Sequence, residues 1–161
     1  MTENKPTIHQ IGIRDVRFGK NVTLIDPVSL YECTLGDDVF VGPFTEIQGN
    51  VTVGARTRIQ SHTFICEMVT IGTDCFIAHG VMFVNDLFKR GFPERKNPEN
   101  WLPTEIGKNI SIGSNVTILP VKICDDAVIG AGAVVTKDIN EAGYYSGAPA
   151  QKIRSLDAPI K

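Results

Sequence analysis

Five side chains that can carry acid–base or polar chemistry fall close together in the sequence, namely His62, Glu67, His79, Asn85 and Asp86. Imidazole titrates near neutral pH, so His79 is a candidate general base, and a hydrogen-bonded structural histidine is the alternative. An Asn amide both accepts and donates hydrogen bonds, so Asn85 can orient a polar group of a substrate. Asp86 falls where the chain must turn, so a turn role and a catalytic role both remain open.

Large apolar residues recur every six positions from Phe18 to Val135, and this period determines where those side chains lie. An α-helix would show spacings of three and four, whereas a period of six indicates a β-solenoid. Asn, Asp and Gly recur at the position where left-handed backbone makes a corner. We therefore predict an all-β parallel solenoid of about six coils.

The predicted domain covers residues 1–161, with coils from about 18 to 139 and an extruded loop over 89–105. A C-terminal tail follows over 140–161, and residues 148–156 are expected to form a short capping helix. Long excursions from a repeat are usually functional or mobile. The loop is therefore expected to cover a site.

Stacking of the coils predicts which side chains share an edge of the solenoid. A triangular coil takes roughly eighteen residues, so Glu67 should lie directly beneath Asn85, with Lys137 two coils above. His79 belongs to the neighbouring column together with Ser61. His62 lies one residue along from that column.

Charge and composition narrow the classes of function. A net charge of −2 argues against a nucleic-acid partner, and the sequence contains no apolar run long enough for a membrane span. The polar N-terminus leads us to expect a cytoplasmic protein. The four cysteines form no CxxC pair, so reduced structural cysteines are expected and no metal is predicted.

Several segments resemble the hexapeptide-repeat acyltransferases: LGDDVFVGPFTEIQ, IGTDCFIAHGVM, IGKNISIGSNVTIL and VIGAGAVVTKDI. The resemblance implies a left-handed parallel β-helix, usually a homotrimer with active sites between subunits. IQSHTFIC and HGVMFVND resemble the branch that N-acetylates a UDP- or dTDP-linked 3-amino sugar, a step in lipopolysaccharide and other cell-surface polysaccharide biosynthesis. The C-terminal YYSGAPAQKIR departs from the family's GNPAR segment at Ala148 and Gln151.

The resemblance implies acetyl-CoA as the acyl donor and places Asn85 at the sugar amino group. His62 and Glu67 are candidate sugar contacts, and Arg90 is a candidate contact for the diphosphate, with a solvated surface charge as its alternative. Coenzyme contacts are expected along the upper coils and the tail, at Ser111, Ser114, Ala131, Gly132, Thr136, Lys137 and Arg154.

Other functions remain open at this point. The same fold could transfer a longer acyl group or O-acetylate a sugar. A zinc carbonic anhydrase needs three converging histidines, and this chain has only His9, His62 and His79. A non-enzymatic scaffold would show one flat face of repeated Thr and no extruded loop.

Overall fold

The chain folds into three parallel β-sheets that form the faces of a triangular solenoid, as seen in a computed structural model that describes Thr7, residues 11–94 and residues 97–156. Strands are numbered in chain order. Face A contains β1 (Ile13–Arg14), β4 (Ser29–Tyr31), β7 (Glu46–Ile47), β10 (Phe64–Ile65), β13 (Met82–Phe83), β16 (Thr117–Ile118) and β19 (Val134–Val135).

Face B contains β2 (Arg17–Phe18), β5 (Thr34–Leu35), β8 (Thr52–Val53), β11 (Val69–Ile71), β14 (Thr104–Ile106) and β17 (Lys122–Ile123). Face C contains β3 (Thr23–Leu24), β6 (Phe40–Val41), β9 (Arg58–Ile59), β12 (Phe76–Ile77), β15 (Ser111–Ile112), β18 (Ala127–Ile129), β20 (Gly143–Ser146) and β21 (Gln151–Arg154). The loop between β13 and β14 carries a short 3-10 helix, Pro98–Asn100.

The predicted fold class is confirmed, because the chain is an all-β parallel solenoid with almost no helix, as expected of a left-handed parallel β-helix. The number of coils was underestimated. Face A has seven strands, and the first, at Ile13, pairs with Leu30. The step from Ile13 to Phe18 is one residue short, which hid this coil from the six-residue period.

The predicted capping helix over residues 148–156 is wrong. Gln151–Arg154 is instead a strand that pairs antiparallel with Gly143–Ser146, which extends face C beyond β18. Tyr144 and Tyr145 favour extended backbone, and Pro149 could not occupy a helix interior. A hairpin therefore ends the solenoid.

Apolar side chains from all three faces fill the interior. From Leu30 onward the large residues of the period are buried, for example Ile47, Ile59 and Phe83, whereas Phe18 at the open end of the solenoid is 46% exposed. Coils stack closely on face B because the position after each strand is mostly glycine. A Cβ built on Gly72 would lie 2.3 Å from the carbonyl oxygen of Gly107, which no real side chain tolerates.

Three corner columns join the faces, and we name them by the faces they connect. Edge AB carries Glu32, Glu67 and Asn85, and edge CA carries Ser61 and His79. Edge BC carries left-handed residues, including Asp38, Arg56, Asp74 and Asn109. On edge BC the Arg56 guanidinium donates two hydrogen bonds to Asp74, which lowers the pKa of that carboxyl.

Candidate active site

Edge AB brings Glu67 and Asn85 together, as the repeat predicts. Phe64 pairs with Met82, which places Glu67 one coil below Asn85, and the Asn85 Nδ2 donates to the Glu67 backbone carbonyl at 3.4 Å. Val134 pairs with Thr117 in the upper coils, so Lys137 stacks above Pro120 on the same edge. The predicted column of Glu67, Asn85 and Lys137 is therefore confirmed.

The hydrogen bond to Glu67 fixes which way the Asn85 amide faces. A carbonyl oxygen only accepts, so the Asn85 NH₂ must be the group turned toward it. The Asn85 Oδ1 is then the amide atom turned away from the Glu67 carbonyl, and no hydrogen bond to it is seen among the described residues. A half-buried acceptor held in this way can receive an N–H or O–H from a ligand.

Asp86 anchors the loop at the same edge. Its Oδ1 accepts from the Phe88 backbone N–H at 2.9 Å, and its Oδ2 accepts from the Glu94 backbone N–H at 2.7 Å. The returning strand of the loop is fixed beside it, because the Leu102 N–H donates to the Asn85 carbonyl at 3.1 Å. The turn role of Asp86 thus has direct support, since both carboxylate oxygens are already engaged.

The loop has its own polar centre at Glu94, whose side chain is only 6% exposed. Glu94 accepts hydrogen bonds from Arg90 Nε at 2.7 Å, from a second Arg90 nitrogen and from Asn100 Nδ2 at 3.1 Å. The Arg90 guanidinium holds the pKa of Glu94 below its usual range. The sequence gives no signal for this pair, because a four-residue spacing of opposite charges brings side chains together on a helix and these residues lie in a loop.

This pairing bears on the expected role of Arg90. Its guanidinium is directed into the loop and toward Glu94, so contact with a diphosphate would have to compete with that ion pair. The neighbouring Lys89 is exposed and lines, together with Arg90 and Glu94, a cavity of about 430 Å³ that also includes Asp86. Two further basic residues of the loop, Arg95 and Lys96, lie outside the described residues.

Edge CA carries the two histidines that the sequence singled out. The His79 Nδ1 lies 2.9 Å from the Ser61 hydroxyl of the coil below. His62 stacks on Phe44, with ring centroids 4.9 Å apart and an angle of 32° between the ring planes. Both histidines are exposed, so each is accessible to a ligand.

Face A separates the two edges. His79 precedes β13 and Asn85 follows it, six residues apart along extended backbone. Such a segment spans roughly 15–20 Å, so a single chain does not bring His79 and Asn85 to one reacting atom. His62 and Glu67 are separated in the same way. The structure thus joins Glu67 with Asn85 and places the histidines on a different edge.

The candidate coenzyme contacts divide between the same two edges. Ser114, Ala131 and Gly132 lie above His79 on edge CA, and Ser111 faces outward on face C. Thr136 and Lys137 lie on edge AB above Asn85.

Arg154 lies in the terminal hairpin, and its guanidinium carbon lies 5.2 Å from the centroid of the Tyr144 ring. The structure therefore does not gather all coenzyme candidates on one surface of the chain.

The remaining reactive groups are structural in character. Burial raises the pKa of the Cys33 thiol to about 11 and that of Cys66 to about 12.

Within the described residues, no group of three His, Cys, Asp or Glu side chains is placed to hold a metal ion. No helix in that part of the chain is long and apolar enough to cross a membrane.

Comparison with known proteins identifies the repeats. Residues 32–67 match the family model described as bacterial transferase hexapeptide (six repeats), and residues 103–137 match the hexapeptide repeat of succinyl-transferase. Galactoside O-acetyltransferase from Escherichia coli is 36% identical over 134 residues, which cover 77% of this chain and 64% of that protein. The bifunctional protein GlmU from Clostridium kluyveri is 29% identical over 84% of this chain and 27% of its own length. The chain therefore spans less than two thirds of each of these relatives.

Solved structures share the fold. A mutant of AntD, an N-acyltransferase from Bacillus cereus in complex with dTDP and coenzyme A, aligns with a TM-score of 0.75 and 21% identity, covering 86% of this chain and 83% of that one. A hexapeptide-repeat acetyltransferase from Vibrio cholerae, complexed with acetyl coenzyme A, aligns with a TM-score of 0.63 and 25% identity over 76% of this chain and 70% of that one.

Proposed function

Because this chain carries the hexapeptide repeats of bacterial transferases, we propose that it is an acyl-CoA-dependent N-acyltransferase. Its acceptor is the amino group of a UDP- or dTDP-linked amino sugar, with a 3-amino sugar as first choice and acetyl-CoA as the acyl donor. The resemblance of IQSHTFIC and HGVMFVND to the amino-sugar branch supports this choice. AntD, which has the same fold, is an N-acyltransferase that was solved with dTDP and coenzyme A.

One observation carries the proposal, namely the fixed orientation of Asn85. Its NH₂ is held by the Glu67 carbonyl, which leaves Oδ1 as an acceptor for a donor hydrogen of the substrate, here the N–H of the amine. A deprotonated amine is a strong nucleophile, so it needs orientation more than it needs a strong base. Attack on the thioester carbonyl forms the C–N bond, and collapse of the tetrahedral oxyanion expels the CoA thiolate.

The proposed site lies between subunits of a homotrimer. His79 and Asn85 lie on different edges of one chain, so His79 of one subunit would have to meet Asn85 of its neighbour. Large apolar side chains are exposed around edge CA: Phe44 on the edge (59% exposed), Phe76 on face C (42%) and Met82 on face A (44%). Such a surface suits burial against a second copy of the chain.

Thiol release measured with acetyl-CoA and a panel of acceptors tests the activity. The panel contains UDP- and dTDP-linked 3-amino sugars, their 2- and 4-amino isomers and the matching hydroxyl sugars. Turnover that requires the amino group supports the proposal. Turnover with the hydroxyl sugars alone, or with none of the panel, refutes it.

A mixed-subunit experiment tests the shared site. Chains carrying His79→Ala and chains carrying Asn85→Ala are co-expressed with different tags. In a random trimer that pairs His79 of one subunit with Asn85 of the next, roughly a quarter of the sites are intact. Mixed trimers should therefore regain about that share of the activity. No regain would contradict the shared site, and full activity of His79→Ala alone would remove His79 from it.

O-acetylation of a sugar is the second candidate, because the E. coli relative is a galactoside O-acetyltransferase. A hydroxyl must lose its proton as it attacks, so this reaction depends on a general base more strongly than amine transfer does. The hydroxyl acceptors in the panel separate the two activities. A set of longer acyl-CoA donors tests whether the acyl group is larger than acetyl.

A scaffold without activity has one feature in its favour. Thr34, Thr52 and Thr70 form a column on face B, with Arg17 below and Glu105 above. The column is only three residues high and one residue wide, which offers little regular surface for a partner. Failure to bind CoA in a calorimetric titration would favour the scaffold.

A further inference from the structure

Ser61 is the one side chain among the described residues that hydrogen-bonds to a ring nitrogen of His79, with the hydroxyl oxygen 2.9 Å from Nδ1. The two residues come from consecutive coils, eighteen positions apart, and lie in the same corner column. A contact to Nδ1 leaves Nε2 as the nitrogen that faces a ligand. The geometry therefore distinguishes the two nitrogens of an exposed imidazole.

Hydrogen bonds from the coils above and below hold the backbone around His79, so the position of the side chain is restricted. The Asn115 N–H of the coil above donates to the His79 carbonyl at 2.9 Å, and the Gly80 N–H donates to the Ser61 carbonyl of the coil below at 3.0 Å. Gly80 has a left-handed φ of 68°, and a Cβ there would lie 2.5 Å from the Asn115 Oδ1. The coils above and below therefore both pack closely against this corner.

We propose that Ser61 is a positioning residue, which holds His79 in the tautomer and ring orientation that make Nε2 a proton acceptor. This inference rests on the proposed function, since it names the group that supports the base of that reaction. In the competent state Nδ1–H donates to the Ser61 oxygen and the Nε2 lone pair faces outward. Without the hydroxyl, no other hydrogen bond to the ring among the described residues selects this tautomer.

The amine proton passes through the His79 ring to the leaving sulfur. As the amine nitrogen bonds to the thioester carbon, one N–H proton passes to Nε2 and the ring becomes imidazolium. The Ser61 oxygen continues to accept from Nδ1–H, so the hydrogen bond survives the change of charge. The CoA thiolate leaves with the electron pair of the C–S bond, and the imidazolium can return the proton to that sulfur.

The test compares Ser61→Ala with Ser61→Thr, which retains the hydroxyl. Nitrogen-15 NMR of the ring reports the tautomer and pKa of His79 in the absence of any substrate, and the ring signals that disappear in His79→Ala are assigned to His79. We expect Ser61→Ala to change the ratio of His79 tautomers and to lower kcat about three- to tenfold with little change in the KM for acetyl-CoA. Ser61→Thr should restore both.

The two readouts separate the failure of this inference from the failure of the proposed function. An unchanged His79 tautomer in Ser61→Ala overturns the positioning role, whatever the enzyme transfers. A changed tautomer with full activity in both Ser61→Ala and His79→Ala overturns the catalytic part, because the ring would then be oriented without being used. Loss of kcat in Ser61→Ala that Ser61→Thr does not restore also contradicts the inference.

Discussion

Substitution of Asn85 is the most direct test of the site on edge AB. Asn85→Ala removes the outward Oδ1 and also the Nδ2 donor that holds the Glu67 carbonyl. Asn85→Asp keeps the size of the side chain but replaces the donor with an oxygen. A carboxylate oxygen beside the Glu67 carbonyl is repelled, so the aspartate should rotate away from the orientation that Asn85 holds.

The expected magnitude follows from one hydrogen bond to the substrate amine. A neutral hydrogen bond contributes about 0.5–1.5 kcal/mol, and each 1.4 kcal/mol at the transition state corresponds to about a tenfold change in rate. Loss of the contact together with loss of amine orientation should lower turnover at least about tenfold in Asn85→Ala. Asn85→Asp should lose activity as well, although it is nearly isosteric.

The assay is steady-state thiol release, with acetyl-CoA and the amino sugar varied separately. We expect kcat/KM for the sugar to fall while the KM for acetyl-CoA stays near the wild-type value, because Asn85 is assigned to the acceptor. Asn140→Ala, an exposed Asn outside the site, is the matched control. Thermal unfolding checks that the Asn85 variants remain folded, since they lose at most one internal hydrogen bond.

Activity of Asn85→Ala within twofold of the control would refute this assignment. A rise confined to the KM for acetyl-CoA would also contradict it, because the residue would then contact the donor. Retention of activity in Asn85→Asp, with loss in Asn85→Ala, would indicate that an oxygen is needed but that the hydrogen bond to Glu67 does not orient it.

Three further outcomes are expected. Gly72→Ala should lower the free energy of unfolding by about 1–3 kcal/mol in urea titrations because its Cβ would collide with the next coil, whereas Thr70→Ala on the exposed side of the same strand should change little. Since Arg90 lowers the pKa of Glu94, the stabilisation that this carboxylate gives is present above its unfolded pKa of about 4.3 and is lost as pH falls through the lower folded value. Emission from the single tryptophan, Trp101, should report that acid transition, and an identical titration in Glu94→Gln would contradict it. Burial raises the pKa of Cys66 to about 12, so iodoacetamide at pH 8 should label it far faster in urea than in the native protein, and equal rates would count against this.

The period of the sequence predicts the coil columns well because the solenoid converts sequence spacing directly into position. Residues one coil apart stack, so Glu67 beneath Asn85 follows from the spacing of the apolar residues alone. The first coil was missed because the step from Ile13 to Phe18 is five residues, and short steps of this kind recur on edge AB. The C-terminal hairpin follows no repeat, so only local propensity was available there.

The six-residue period does not predict which side chains pair within the loop. The sequence leaves open whether Asp86 stabilises a turn or takes part in catalysis. In the structure, both of its carboxylate oxygens accept hydrogen bonds from backbone N–H groups of the loop. The burial of Glu94 depends on how residues 86–102 fold back on themselves, which no spacing rule determines. A loop outside the repeat has to be described by its own hydrogen bonds.

The same spacing rule links the chemistry to assembly. Residues six apart occupy equivalent positions on consecutive edges, so the sequence already implies that His79 and Asn85 lie on opposite sides of face A. An acceptor for the amine on one edge and an imidazole on another can act together only if a second chain brings them into contact. If the site is shared between subunits, as we propose, the isolated chain should be less active than the assembly because its site lacks the histidine of a neighbour.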